Sequence, residues 1–374
     1  MSSGNINCIG DNCCGCEACY SVCPKNAIYA ERGRRGELLY KSNEECINCG
    51  MCLKVCAANN AKLHDEVDIF YRAITKQKDV LEKSSSGGIA YEMARLILLE
   101  GGITYAAVWD VEKQRVQHSR IASVQELPAI QGSKYVHSTI EKDTYGNILK
   151  DVKELKVLFI GCPCQVSAIK NLVGDNSKLI CIDLVCHGVP SAEMLKEQIK
   201  KITDDMVETI SFRRGLSFFL DLKDRSGKTY SINGYDNPYY VLFLTYTSLR
   251  ESCYKCRYAQ RKRVGDLTIG DYTEQGKGYS CVLSNSEVGQ RLLAETCSSI
   301  LYEERITALL KENDALNHPT VRSPKVDVFT ERYNTRGIYY AYYRTFLAFV
   351  MKRIGRRLLG DKIYDKVIKR IKGK

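Results

Sequence analysis

No apolar run in the 374-residue chain approaches the roughly eighteen residues needed to cross a bilayer, so the sequence reads as soluble or at most peripheral at a membrane. Its start, MSSGNINCIGDNCC, lacks the basic residues, apolar stretch and small-residue cleavage site of a secretory signal. That disfavours a disulfide scaffold, and eighteen cysteines point instead to a reducing cytoplasm in which thiols stay available for iron. The chain has no G-x-G-x-x-G and no Walker A motif, which leaves nicotinamide and nucleotide sites of those designs unsupported. No binding module with base-reading or stacking groups accompanies the net charge of +11, so no nucleic-acid partner is expected.

What is present is a doubled cysteine run. Cys13, Cys16, Cys19 and Cys23 repeat in spacing as Cys46, Cys49, Cys52 and Cys56, with Pro24 after the first run and Ala57 after the second. This is the spacing of bacterial two-cluster ferredoxins, where three cysteines of one run and the fourth of the other hold each [4Fe–4S] cube. Cys13, Cys16, Cys19 and Cys56 are then one ligand set, and Cys46, Cys49, Cys52 and Cys23 the other. Zinc sites have no use for four cysteines in each short run. Cys8 and Cys14 fall outside the spacing and read as bystanders.

Most of the positive charge sits at the end. Residues 344–374 hold eleven Lys or Arg against Asp361 and Asp365, which is +9 of the +11. Phe346, Val350, Ile354 and Leu358, then Ile363, Val367 and Ile371, recur at amphipathic-helix spacing. Such a helix either lies on anionic lipid or packs its stripe on the protein and leaves a solvated basic face.

Between these ends the pattern is α/β. A β-rich segment at 68–75 precedes SSSGG (84–88), a helix over 89–100 and the strand ITYAAVW. KVLFIG (156–161), a helical stretch at 165–172 and LICIDLV (179–185) read as strand, helix, strand, the unit of a parallel sheet. Shorter β-like runs at 207–232 and DLTIGDY at 266–272 suggest more sheet in the same unit. SSSGG before a helix suits a phosphate as well as ordinary capping.

A second set of cysteines stands out: Cys162 and Cys164 in GCPCQ just after an expected strand, Cys186 in VCHG just after another, and Cys253 and Cys256 in SCYKC. Loops leaving the strand ends of a parallel sheet gather at one edge. Cys164, Cys186, Cys253 and Cys256 would suffice for a third cube, with Cys162 as an alternative ligand. Zinc at these positions and a redox pair of Cys162 with Cys164 are the competing readings. Cys181, Cys281 and Cys297, in apolar or helical stretches, read as buried small hydrophobes.

SSSGG, GSKYVHS, GCPCQ, DLVCHGVPS, SCYKC and TIGDY, in that order behind the doubled cysteine run, resemble the coenzyme F(420) hydrogenase/dehydrogenase beta-subunit family. The resemblance implies an α/β flavoprotein that binds FAD beside a [4Fe–4S] cluster. It implies flavin-contacting loops at Ser84, Ser85, Ser86, Gly87 and Gly88 and at Gly132, Ser133, Lys134 and Tyr135, with Gln165 of GCPCQ nearby. His187 is the candidate catalytic proton donor, and Lys134 a charge to stabilise reduced flavin.

The expected organisation is an α+β bacterial-ferredoxin-like domain over 1–66, an α/β flavin-binding domain over 67–335 and a basic helical tail over 336–374. The expected activity is a cytoplasmic oxidoreductase moving electrons between a ferredoxin-type or deazaflavin donor and an organic substrate, in polysaccharide biosynthesis. The flow favoured is from ferredoxin to the substrate, with peripheral membrane contact through the tail. The alternative is a non-catalytic electron-transfer subunit of a larger redox complex.

Overall fold

The structure is a computed structural model and describes residues 4–360 apart from 297 and 312. Thirteen strands appear among the described residues: β1 (Ile28–Arg32), β2 (Leu38–Ser42), β3 (Ile69–Thr75), β4 (Ile103–Asp110), β5 (Arg115–Ile121), β6 (Val157–Gly161), β7 (Leu179–Leu184), β8 (Val207–Arg214), β9 (Ser217–Asp224), β10 (Thr229–Asn233), β11 (Leu267–Glu274), β12 (Lys277–Ser284) and β13 (Ser299–Arg305). Eight of them form one sheet in the order β13-β3-β12-β11-β7-β6-β4-β5.

Only the centre of this sheet is parallel. β4 pairs with β6, β6 with β7 and β7 with β11 in parallel, while the remaining neighbours run antiparallel. The sequence explains the difference. β6 is a continuous apolar run and β7 is apolar but for Asp183, both are buried along nearly their whole length, and the helix Pro163–Val173 joins them, as a parallel crossover demands. β11 and β12 are joined by a tight turn around Gly276, which only an antiparallel pair can use.

The run at 207–232 departs from expectation. β8, β9 and β10 make a separate three-stranded antiparallel sheet. Its apolar face, with Phe212, Leu220 and Leu222, packs with the helix Pro238–Leu244 and with Phe329, Tyr333 and Tyr342 in a second core.

The cysteine-rich start packs on the main sheet's layer rather than standing apart. Cys16, Ala18, Val55 and Ala57 share a core with Tyr145, Phe159, Val166 and Tyr258. Tyr145 donates its hydroxyl hydrogen to the Cys16 carbonyl, and Tyr258 donates to Ala57 at 2.6 Å. The buried Arg250 guanidinium donates to the carbonyls of Cys13 (3.3 Å) and Leu38 (2.6 Å). A side chain at Gly15 would collide with that guanidinium, its Cβ falling 2.7 Å from the nearest nitrogens.

Near the end, the helix Val326–Thr345 breaks at Arg336 and Gly337, where the Glu197 carboxylate accepts the Ile338 N–H at 2.8 Å. Ile338, Ala341, Tyr342 and Phe346 are buried in the second core, so the first part of the basic tail belongs to the body. The next helix, Leu347–Leu359, has no buried residue. Ile363, Val367 and Ile371 lie outside the described residues, as does Cys297.

Candidate functional site

Two cavities open at the carboxyl ends of the parallel strands, and one wall separates them. The first, about 340 Å³, is lined by Cys14, Cys162, Cys164, Cys186, Cys253 and Cys256 together with His137, Arg250 and Tyr258. The second, about 450 Å³, is lined by Ser84, Ser85, Ser86 and Gly88, by Gly132, Ser133, Lys134 and Tyr135, and by His118, Arg213, Phe218 and Phe243. Cys162, Gln165, Cys186 and His187 face both.

Chain turns at the strand ends build the shared wall. Cys162 directly follows β6 and caps the helix Pro163–Val173, accepting at its side chain while its own N–H donates to Gln165 Oε1 at 3.0 Å. The Gln165 amide donates in turn to the Ser138 carbonyl (2.8 Å) and hydroxyl (3.1 Å), so this side chain ties the cysteine loop to the segment after GSKY. Cys186 follows β7, and its sulfur lies 3.8 Å from that of Cys162. Gly188, at φ +119°, turns the chain back so that its N–H reaches the Cys186 sulfur at 3.4 Å.

The thiols of the first cavity are half-buried. Burial raises Cys253 to about 12 and Cys256 to about 11, so without a bound cation they stay protonated. A metal centre changes that balance by binding the thiolate. Among the described residues no set of three or more His, Cys, Asp or Glu converges closely enough to hold a single metal ion. The thiols are spread around a cavity instead, an arrangement that fits a cluster of several irons.

The ferredoxin-type run has the same character. Cys23, Cys46, Cys49 and Cys52 line one small cavity with Pro24 and Ile28. Cys13, Cys16, Cys19 and Cys56 are buried together, and burial followed by neighbouring cysteines pushes Cys56 up to about 12. Cys181 and Cys281 lie wholly buried in β7 and β12, and Cys8 is exposed.

In the second cavity two distant loops meet. The Ser85 hydroxyl accepts the Ser133 N–H at 2.7 Å, and Gln131 Nε2 donates to the Val80 carbonyl at 3.1 Å. Gly88, at φ +80°, starts the helix Ile89–Leu99 behind the serines. Gly87 does not line the cavity. A Cβ there would fall 2.0 Å from the Ala73 carbonyl oxygen and 2.6 Å from the Ser280 nitrogen, so its role is close passage over the sheet.

Lys134 is half-buried, and the loss of solvent around its ammonium brings it down to about 8. Its ammonium donates to the carbonyls of Ile130 (3.2 Å), Gln131 (2.9 Å) and Gly132 (3.1 Å). All three donors are thus spent on folding its own loop, and only its charge acts on the cavity. The Tyr135 ring meets Phe212, Phe218, Tyr240 and Phe243, while its hydroxyl accepts from Arg213 at 2.8 Å. Arg213 also pairs with Asp271 at 3.2 Å. His187 stacks on Tyr246 and is lowered from its ordinary value by burial, which keeps its imidazole neutral near pH 7.

Four contributors escaped the sequence reading: Cys14, His118, His137 and Arg213. His118, on β5, bonds the Ile160 carbonyl at 3.0 Å and stacks on Phe159, and burial lowers it to about 4. His137 is lowered to about 3. The adjacency of Cys14 to Cys13 and the presence of His137 within GSKYVHS were the only local signals. Arg213 and His118 had none, because they come from strand positions unmarked by any motif.

Residues 154–307 match the family model for the C-terminal part of the coenzyme F420 hydrogenase/dehydrogenase beta subunit, and residues 12–60 match the 4Fe-4S dicluster domain. An uncharacterized protein of Methanocaldococcus jannaschii is 20% identical over 79% of this chain and 90% of its own length. A ferredoxin of Saccharopolyspora erythraea is 31% identical over 21% of this chain and 73% of its own. A chain from the xenon-derivatised F420-reducing [NiFe] hydrogenase complex of Methanosarcina barkeri superposes with a TM-score of 0.48 at 17% identity, over 75% of this chain and 98% of that one.

Proposed function

We propose, from the match of residues 154–307 to the coenzyme F420 hydrogenase/dehydrogenase beta-subunit model and of residues 12–60 to the 4Fe-4S dicluster domain, an iron–sulfur flavoprotein oxidoreductase. It moves electrons between a ferredoxin-type or deazaflavin donor and an organic substrate, through two N-terminal [4Fe–4S] clusters, a third cluster and FAD. The single observation that carries this reading is the shared wall. Cys162, Gln165, Cys186 and His187 border both the thiol-lined cavity and the loop-lined one, so groups held in the two would be immediate neighbours.

The residues of the 450 Å³ cavity suit a flavin dinucleotide. Ser84–Ser86 lie ahead of the helix Ile89–Leu99, whose first N–H groups favour a phosphate. Tyr135, Phe218 and Phe243 offer an apolar aromatic wall for a ring. FAD bound there would supply exchange between one-electron carriers and a two-electron organic substrate. Lys134 sets a positive charge at the cavity without surrendering its hydrogen bonds. His187 borders the junction and is neutral at rest, so as a donor it would first take up a proton and then pass it to substrate as imidazolium.

The basic helix Leu347–Leu359 supports peripheral membrane contact. Phe346 is buried and Val350 half-buried against the body, but Leu347, Met351, Ile354 and Leu358 are exposed, Leu358 at 79%. Lys352, Arg353, Arg356 and Arg357 accompany them, the charge and apolar pairing that anionic lipid takes up. A lipid-borne glycan intermediate is the substrate class that fits a reductase docked on such a surface.

Anaerobic purification followed by iron, sulfide and flavin counts tests the reading. About twelve irons and one FAD per chain are expected. About eight irons would confine the clusters to the front domain, and clusters without flavin would reject the reductase.

A further inference from the structure

A charged side chain withdrawn from water is normally paired on all sides. Arg213, which lines the second cavity, keeps only 7% of its side-chain surface exposed and is not paired in that way. Nη1 donates both to the Tyr135 hydroxyl at 2.8 Å and to Asp271 at 3.2 Å, and Nε donates to the Gly215 carbonyl at 3.1 Å. Among the described residues no hydrogen bond occupies Nη2. The counter-ion is weak, because the Asp271 side chain is 47% exposed and water screens its share of the pair. Lys134, the other cation lining this cavity, commits its ammonium to its own loop.

Local structure brings this guanidinium to the cavity. The ladder between β8 and β9 slips between Ser211 and Arg213, and such a bulge re-aims the side chain that follows it. The guanidinium lies over the Phe218 ring at 4.8 Å, and at the hairpin tip Leu216 packs so closely on β12 that a Cβ at Gly278 would fall 2.9 Å from its Cδ2. The hairpin thus reaches from the small sheet over the end of β11 and β12. Asp271 pairs with Ser280 across those two strands, and the Ser280 hydroxyl lies 3.2 Å from that of Ser86. Arg213 and the serine loop ahead of the helix Ile89–Leu99 therefore approach one stretch of sheet from two sides. Helix N–H groups and a guanidinium both favour an anion there.

Resting on the reading of this cavity as a cofactor and substrate site, we propose that Arg213 is its anion-recognition residue. It engages a phosphate oxygen of the bound molecule, and Asp271 is the counter-ion that the phosphate displaces. A guanidinium binds phosphate through charge-assisted bonds from a planar fork, which a half-exposed carboxylate on a single nitrogen does not match. The phosphate belongs either to the FAD diphosphate or to a phosphorylated substrate, which present the same chemistry to Arg213.

The test titrates the full chain, purified anaerobically and freed of flavin, with inorganic pyrophosphate, with FAD and with riboflavin, which carries no phosphate. Arg213→Gln should weaken pyrophosphate binding roughly ten-fold, and Arg213→Lys should weaken it less, since it keeps the charge without the fork. Asp271→Asn should tighten pyrophosphate about three-fold by removing the competing carboxylate, whereas a pair that only fastened the hairpin would lose affinity on either change. If the phosphate is the cofactor's, Arg213→Gln weakens FAD and leaves riboflavin as it was. If it is the substrate's, FAD affinity holds and pyrophosphate binding to the FAD-loaded protein is lost. Pyrophosphate affinity equal in wild type and Arg213→Gln, or weakened in Asp271→Asn, would overturn the proposal. Wild-type protein that binds pyrophosphate through Arg213 yet takes up no FAD would keep the anion site and reject the flavoprotein reading instead.

Discussion

The Ser85 hydroxyl accepts the backbone N–H of Ser133 at 2.7 Å, although 48 residues separate them. This bond holds the serine loop and the GSKY loop as one rim of the 450 Å³ cavity. Ser85→Ala leaves a half-buried N–H without its partner, a loss on the order of 1–2 kcal/mol. Flavin affinity should fall roughly ten-fold while iron content stays level, measured by fluorescence quenching as FAD is returned to deflavinated protein. Unchanged affinity would take this rim out of the cofactor site.

Arg263 and Asp183 form a fully buried ion pair at 2.9 Å, and Asp183 also accepts the N–H groups of Val264 and Gly265. Arg263 donates onward to the Tyr258 and Leu184 carbonyls, which fixes the segment after SCYKC to the end of β7. Arg263→Ala strands a buried carboxylate and should cost about 3–5 kcal/mol in denaturant unfolding. Replacing both partners with apolar residues of matching volume should recover part of that loss.

Acid should act through His118. Burial holds it at about 4 in the folded protein, whereas the unfolded chain titrates near its ordinary ~6.5. The unfolded state therefore takes up a proton that the folded state refuses, and stability present above pH 6.5 is lost as pH falls toward 4. The loss is about 2 kcal/mol by pH 5. His118→Gln should flatten this part of the profile when unfolding midpoints of both proteins are compared at pH 7 and pH 5. Parallel profiles would show that His118 contributes nothing to it.

The exposed stripe on the helix Leu347–Leu359 predicts binding to vesicles rich in anionic lipid. Replacing Leu347, Met351 and Leu358 by Gln should abolish flotation with such vesicles, leaving cluster content intact, because each loses apolar area that enters the interface. Flotation equal to wild type would assign the stripe to another role.

Spacing and periodicity are written along the chain, and they carried the reading a long way. The doubled cysteine run announced a ferredoxin-type front, and the strands at 156–161 and 179–185 with the helix between them emerged as β6, Pro163–Val173 and β7. The approach of Cys162 and Cys164 to Cys186 followed from strand ends sharing one sheet edge, whereas Cys253 and Cys256 reach the same cavity from a turn after the helix Pro238–Leu244. The runs at 207–232 were legible as strands but not as a separate sheet, since β propensity does not name a partner strand. The tail's stripe was legible as amphipathic, but only packing could spend Phe346 on the core and leave Leu358 outside.

Cys14 marks the boundary most clearly. By spacing it is a stray between two ligands, and the sequence offers no reason to count it. Folding carries the loop against the end of β6, where Arg250 and Tyr145 hold the carbonyls of Cys13 and Cys16 and Cys14 lines the same cavity as Cys164. The sequence by itself determined which residue types can hold iron and in what local order. Tertiary structure alone decided which thiols face one another, because that depends on how buried surfaces fit across stretches far apart in the chain.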